Sequence, residues 1–129
     1  QAFRRIGLVP DGGSTYLLAR TIGRARAMEM TLLGEKVPAE QAMSWGLVNR
    51  VVEDDALMAT AKQIAGQLAE GPTLALAMTR KLVWAACDGD FDGALRAERL
   101  AQRTAGRTDD FKEGVTAFLK KRKAEFKGK

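Results

Sequence analysis

A mainly α-helical chain with one or two short strands is the fold class this sequence predicts. Three observations predict it. Apolar residues recur at helical spacing along most of the 129 residues. Glycine and proline fall where such helices would stop or start. Only residues 47–52, Leu-Val-Asn-Arg-Val-Val, offer a short β-branched run that suits a strand or an extended link.

Taken in order, the elements begin with Ile6-Gly7-Leu8-Val9-Pro10-Asp11-Gly12-Gly13-Ser14-Thr15. Pro10 cannot donate to a sheet ladder, so a strand or extended segment is expected to end there. Gly12 and Gly13 permit backbone conformations that other residues resist, and they let a ligand approach the main chain. A short helix then runs from Thr15 to Ile22 and stops at Gly23, and a second runs from Arg24 to Leu33 and stops at Gly34. Pro38 suits the first turn of a third helix, with Glu40 near its positive end and Gly46 closing it. From Asp54 a long amphipathic helix carries Leu57, Ala61, Ile64 and Leu68 to Glu70. Gly71-Pro72 starts the next, with Leu74, Leu76, Met78, Leu82 and Trp84. A further helix from Phe91 ends near Gly106. Thr108 with Asp109 and Asp110 then opens a last helix whose apolar stripe is Phe111, Val115, Phe118 and Leu119.

Composition removes several chemistries. The chain has no histidine, which excludes histidine-based triads and HExxH zinc sites, so acid–base work must rest on Asp, Glu, Lys, Arg or Tyr. One cysteine, Cys87, excludes an internal disulfide and suits a reducing, cytoplasmic compartment; it is expected to be a small buried hydrophobe. No apolar run approaches a bilayer span, and no membrane partner is expected. The net charge of +5 lies wholly within residues 111–129, because the preceding residues balance. A basic terminal helix reads as a solvated face or as a surface for an anionic partner. No nucleic-acid motif accompanies it, so no nucleic-acid partner is expected.

Asp88-Gly89-Asp90-Phe91-Asp92-Gly93 has the opening of a calcium loop, but Arg99 stands where the closing glutamate belongs. No metal is expected; Asp90 or Asp92 should cap the next helix. Ser14 and Thr15 lack a nucleophile-elbow or phosphate-loop spacing and serve helix entry. Asp11 has two readings. It is either a turn residue capping the following helix or, given a desolvated pocket, a proton-transfer carboxylate.

The run from Phe3 to Arg20, followed by Gly23-Arg24-Ala25-Arg26-Ala27-Met28-Glu29-Met30, Ala39-Glu40-Gln41-Ala42 and Trp45-Gly46-Leu47-Val48, resembles the crotonase superfamily, the enoyl-CoA hydratase/isomerase proteins. The resemblance resumes in Glu113-Gly114-Val115, Ala117-Phe118-Leu119 and Lys121-Arg122. It covers essentially the whole chain but only the second half of the family's subunit. The opening on Gln1 likewise hints at a missing N-terminal portion. The resemblance implies that residues 1–52 are the end of the spiral core carrying the Asp11 turn. Residues 53–129 would be a helical region for oligomerisation and CoA-tail contact.

The activity it implies is acyl-CoA chemistry without a cofactor. Backbone N–H groups of the absent first half would polarise a thioester carbonyl and stabilise an enolate. Hydratases of the family place a catalytic glutamate where this chain has Phe3. Isomerases and dehalogenases place an aspartate where it has Asp11. The G-L-V-P-D-x-G run looks most like ring-epoxide isomerases of the phenylacetate type, with Δ3,Δ2-enoyl-CoA isomerases second. Asp11 is therefore the expected proton shuttle, with Phe3, Pro10 and Gly12 contacting substrate around it. Phe118 and Lys121 correspond to residues that touch the CoA adenine and phosphates, often from a neighbouring subunit. A homotrimer or a hexamer is the expected assembly; the alternative readings are a non-catalytic truncated fragment acting as an assembly module, or a true enoyl-CoA hydratase.

Overall fold

The computed structural model describes residues 1–129, which form two compact units, Gln1–Asp54 and Asp55–Lys129. No residue is in a strand. No strand ends at Pro10: a 3-10 turn, Ala2–Ile6, and a left-handed Gly7 are followed by residues 8–10 in no regular element. The β-branched run at 47–52 is an irregular link. Its first N–H groups, from Leu47 and Val48, both donate to the Ala42 carbonyl at 2.9 and 3.4 Å. Those donors fold back onto the preceding helix, so β propensity finds no ladder to join.

The first unit holds α1 (Ser14–Ile22), α2 (Arg24–Leu33) and α3 (Ala39–Ser44). Helices α1 and α2 pack together around Leu18, Ile22 and Ala27, with Met30, Trp45 and Leu47 against them. The 3-10 turn is tied to the end of α2. Arg4 Nη1 donates to the Leu33 carbonyl at 2.7 Å and Arg5 Nη2 to the Gly34 carbonyl at 3.4 Å. Cations there satisfy orphan carbonyls at the negative end of the helix. This fixes the segment from which the Asp11 turn departs.

The second unit holds α4 (Leu57–Ala69, preceded by a 3-10 turn, Asp54–Ala56), α5 (Thr73–Ala86), α6 (Phe91–Ala105) and α7 (Asp109–Leu119). Helices α5 and α6 form a helical hairpin. The expected caps are in place. Gly93 N–H donates to the Asp90 carboxylate at 2.7 Å, and Phe111 N–H donates to Thr108 Oγ1 at 3.1 Å. Cys87 is exposed rather than buried, with its thiol directed at the Val83 carbonyl.

The basic tail is not a helix. Helix α7 ends at Leu119, and the chain turns back along it. Asp110, only 4% exposed, accepts the Lys127 and Gly128 N–H groups at 2.6 and 2.9 Å, while its own N–H donates to the Lys129 carbonyl at 2.9 Å. One helical turn later, Glu113 accepts both terminal N–H groups of Arg122 and the Glu125 N–H. Phe126 lies against Gly114. Gly128 has φ 72°, and a Cβ there would stand 2.6 Å from Thr73 Oγ1, so only glycine lets the tail reach the start of α5.

Neither unit has a large, fully buried side chain. The accessible surface is 10395 Å² for 14.0 kDa. Even two separate compact bodies sharing that mass would expose only about 8,000 Å². The excess is partly apolar. Phe91, Phe118 and Leu119 are about three-quarters exposed or more, and the stripe of α7 is uncovered, the helix burying only Asp110 and Ala117. Helical periodicity here marks faces that this chain does not itself cover. No helix is long and apolar enough to cross a membrane.

Candidate active site and CoA-tail contact

The Asp11 turn is built by two consecutive left-handed glycines, Gly12 with φ 60° and Gly13 with φ 76°. Their geometry decides which oxygen of Asp11 starts α1. The backbone carbonyl does so, accepting Ser14 N–H at 3.0 Å and Ser14 Oγ at 2.8 Å. Gly13 is the N-cap and no side chain caps the helix. The capping role read as one alternative for Asp11 is therefore overturned. Its carboxylate is exposed and makes no hydrogen bond or ion pair, and glycines on its C-terminal side leave it uncovered. Ser14 does serve helix entry.

Around this turn, Phe3 lies half-buried in the 3-10 turn, and its carbonyl accepts Leu8 N–H at 3.1 Å. Pro10 is half-buried and Gly12 exposed. Ile6, Leu8 and Val9 are exposed, which leaves an apolar lead-in to a free carboxylate. On α1, the Arg20 guanidinium stacks on the Tyr16 ring at 4.1 Å.

Phe118 and Lys121 belong to the second unit, at the end of α7. Phe118 is 81% exposed, and its carbonyl accepts the Lys121 N–H at 3.1 Å. Lys121 is exposed and unpaired, whereas its two successors are committed. Arg122 binds Glu113, and Lys123 binds Glu70 at 2.7 Å. The Arg122 hydrogen bonds, followed by that of the Glu125 N–H, hold the Glu113 carboxyl down at about 2. Sequence reading missed this cluster of Asp110, Glu113 and Arg122. The available signal was two acids one helical turn apart, facing a lysine-rich tail long enough to return.

A free carboxylate on a glycine turn and an unpaired ammonium one turn from a bare aromatic ring are the two chemical features the chain presents. The description "Enoyl-CoA hydratase/isomerase" fits the chain over residues 1–129. The chain belongs to the enoyl-CoA hydratase/isomerase family. It is 48% identical over 128 residues to a 1,2-epoxyphenylacetyl-CoA isomerase of Escherichia coli K12, covering 99% of this chain and 49% of that protein. It is 37% identical over 122 residues to the mitochondrial enoyl-CoA hydratase of Pongo abelii, covering 95% of this chain and 42% of that one. Among solved structures, an enoyl-CoA hydratase subunit I of Geobacillus kaustophilus superposes with a TM-score of 0.92 at 38% identity, over 99% of this chain and 50% of that one. The chain thus spans about half the length of these family members, and its helices are those of a C-terminal crotonase half. The family includes both isomerases and hydratases among these relatives.

Proposed function

We propose that the chain is the C-terminal half of an acyl-CoA isomerase in which Asp11 carries the proton. The observation that carries this reading is the uncommitted Asp11 carboxylate, left free because the Gly12–Gly13 turn gives α1 a backbone cap. A carboxylate used as a helix cap would have its lone pairs occupied. This one is available to a substrate. Phe3 supports isomerisation over hydration, since a benzyl ring cannot activate water where the family's hydratases have glutamate. The 48% identity to an epoxyphenylacetyl-CoA isomerase points the same way.

The chemistry follows from the thioester. Hydrogen-bond donors on the thioester oxygen acidify the α-carbon and stabilise the enolate that forms when a proton leaves. Asp11 takes or returns that proton, which shifts a double bond or opens a strained ring without adding water. Those donors, and the apolar cover that would desolvate Asp11, come from the family's first half. Phe118 and Lys121 supply a ring face and an ammonium, the pair of groups suited to adenine and phosphate. The substrate class is an enoyl-CoA or ring-epoxide acyl-CoA, with no further cofactor.

Product analysis tests this. With the complete enzyme given 2-enoyl- and 3-enoyl-CoA thioesters, the expected product is the positional isomer. Accumulation of the 3-hydroxyacyl thioester would overturn the isomerase reading.

A second reading, assembly without catalysis, is favoured by the bare apolar faces of the second unit, with Phe91 75% and Leu119 74% exposed. These faces suit the trimer or hexamer contacts of the family. Native mass measurement decides: a monomer without CoA affinity contradicts the assembly reading.

A further inference from the structure

Lys121 is the one residue other than glycine with a positive φ, 52°. It occupies the second position past the end of α7. Its N–H bonds back to Phe118, and the Arg122 N–H bonds back to Ala117 at 3.0 Å. Those two bonds make a Schellman ending, and its left-handed position is ordinarily glycine because a Cβ is unfavourable there. Lysine at that place needs something to hold it. The residues that follow provide the hold. Arg122 gives two parallel hydrogen bonds to Glu113, at 2.6 and 2.8 Å, and a third to the Lys123 carbonyl at 3.0 Å. Glu113 also receives the Glu125 N–H at 2.9 Å. The chain on the C-terminal side of Lys121 is thereby clasped to α7, and of residues 121, 122 and 123 only Lys121 keeps an unpaired charge.

We infer that Glu113 is a positioning residue: through Arg122 it locks Lys121 in the left-handed conformation that presents its ammonium, one turn from Phe118, to the phosphates of a CoA thioester. This rests on the proposed acyl-CoA reading and adds to it a residue with no contact to the substrate. A bidentate guanidinium–carboxylate pair fixes direction as well as distance, which a lysine in place of Arg122 could not reproduce. Without the clasp, Lys121 is free to relax to a right-handed conformation, which redirects its side chain.

The test uses the complete enzyme and adenosine 3′,5′-bisphosphate, which carries the ring and phosphates but no acyl group. Glu113→Gln should weaken its binding about tenfold, and Arg122→Lys by a smaller factor. In a Lys121→Gly background Glu113→Gln should add nothing, because the two residues act as one unit. Turnover of a pantetheine thioester, which lacks adenine and phosphates, should be unchanged by Glu113→Gln. Equal weakening in both backgrounds, or equal loss on the pantetheine substrate, would reduce Glu113 to a structural residue and overturn the inference. If Glu113→Gln does not fold, Arg122→Lys is carried through the same cycle, where additivity with Lys121→Gly overturns the inference and its absence supports it. Failure of the unaltered enzyme to bind the bisphosphate overturns the acyl-CoA reading itself, and the inference with it.

Discussion

The Glu113 carboxylate receives both terminal N–H groups of Arg122 at 2.6 and 2.8 Å, across the bend that ends α7. With Asp110 one turn earlier, it turns a lysine-rich segment that could trail in solvent into a strap along the helix.

The strap should respond to acid in a defined window. The Glu113 carboxyl is depressed from 4.5 to about 2, chiefly by the Arg122 hydrogen bonds. A depressed acid contributes stability that is fully present above its unfolded value and is lost as pH falls through its folded value. The tail should therefore stay docked above about pH 4.5 and loosen as pH falls towards 2. Amide exchange reads this, and Glu113→Ala at neutral pH should speed exchange at Glu125 by about tenfold or more. Unchanged protection at Glu125 would show that the carboxylate does not hold the strap.

Replacing Lys121 by glycine should stabilise the chain. The left-handed position costs an L-residue about 1–2 kcal/mol, and glycine's extra unfolded freedom returns part of that. A net gain of about 0.5–1 kcal/mol in urea unfolding is expected. A loss of stability would mean that the lysine side chain serves folding rather than ligand contact.

Gly13→Ala tests the Asp11 turn. No atom lies within 4 Å of a Cβ built at Gly13, so the cost arises from φ 76° and not from collision. About 1–2 kcal/mol of destabilisation is expected by thermal unfolding. Isomerisation should fall further than stability does, because relaxing the turn re-aims Asp11. Full activity in the alanine variant would separate the turn from the chemistry.

What the sequence revealed divides by the range of the interactions. The caps at Asp90 and Thr108 were legible because each bond spans three residues. The stops at Gly23 and Gly34 were legible for the same local reason. Of the two readings of residues 47–52, the strand failed and the link stood, because β propensity needs a neighbouring strand and Ala42 took the first donors instead. The cap assigned as one reading of Asp11 failed on two glycine φ values, which turn its carbonyl and not its carboxylate to the helix. The clasp of the tail escaped because its partners lie 9 to 18 residues apart in the chain. Cys87 was expected inside, yet hydropathy cannot say whether the same chain supplies the cover.

The proton-transfer role proposed for Asp11 has one decisive measurement: isomerisation by the complete enzyme carrying Asp11→Asn. The amide keeps the size of the carboxylate and cannot accept the proton. The turn itself rests on the backbone of Asp11 and so should persist. The predicted result is a fall in kcat of about 10²–10⁴-fold with KM for the thioester little changed. An undiminished rate of isomerisation would contradict it.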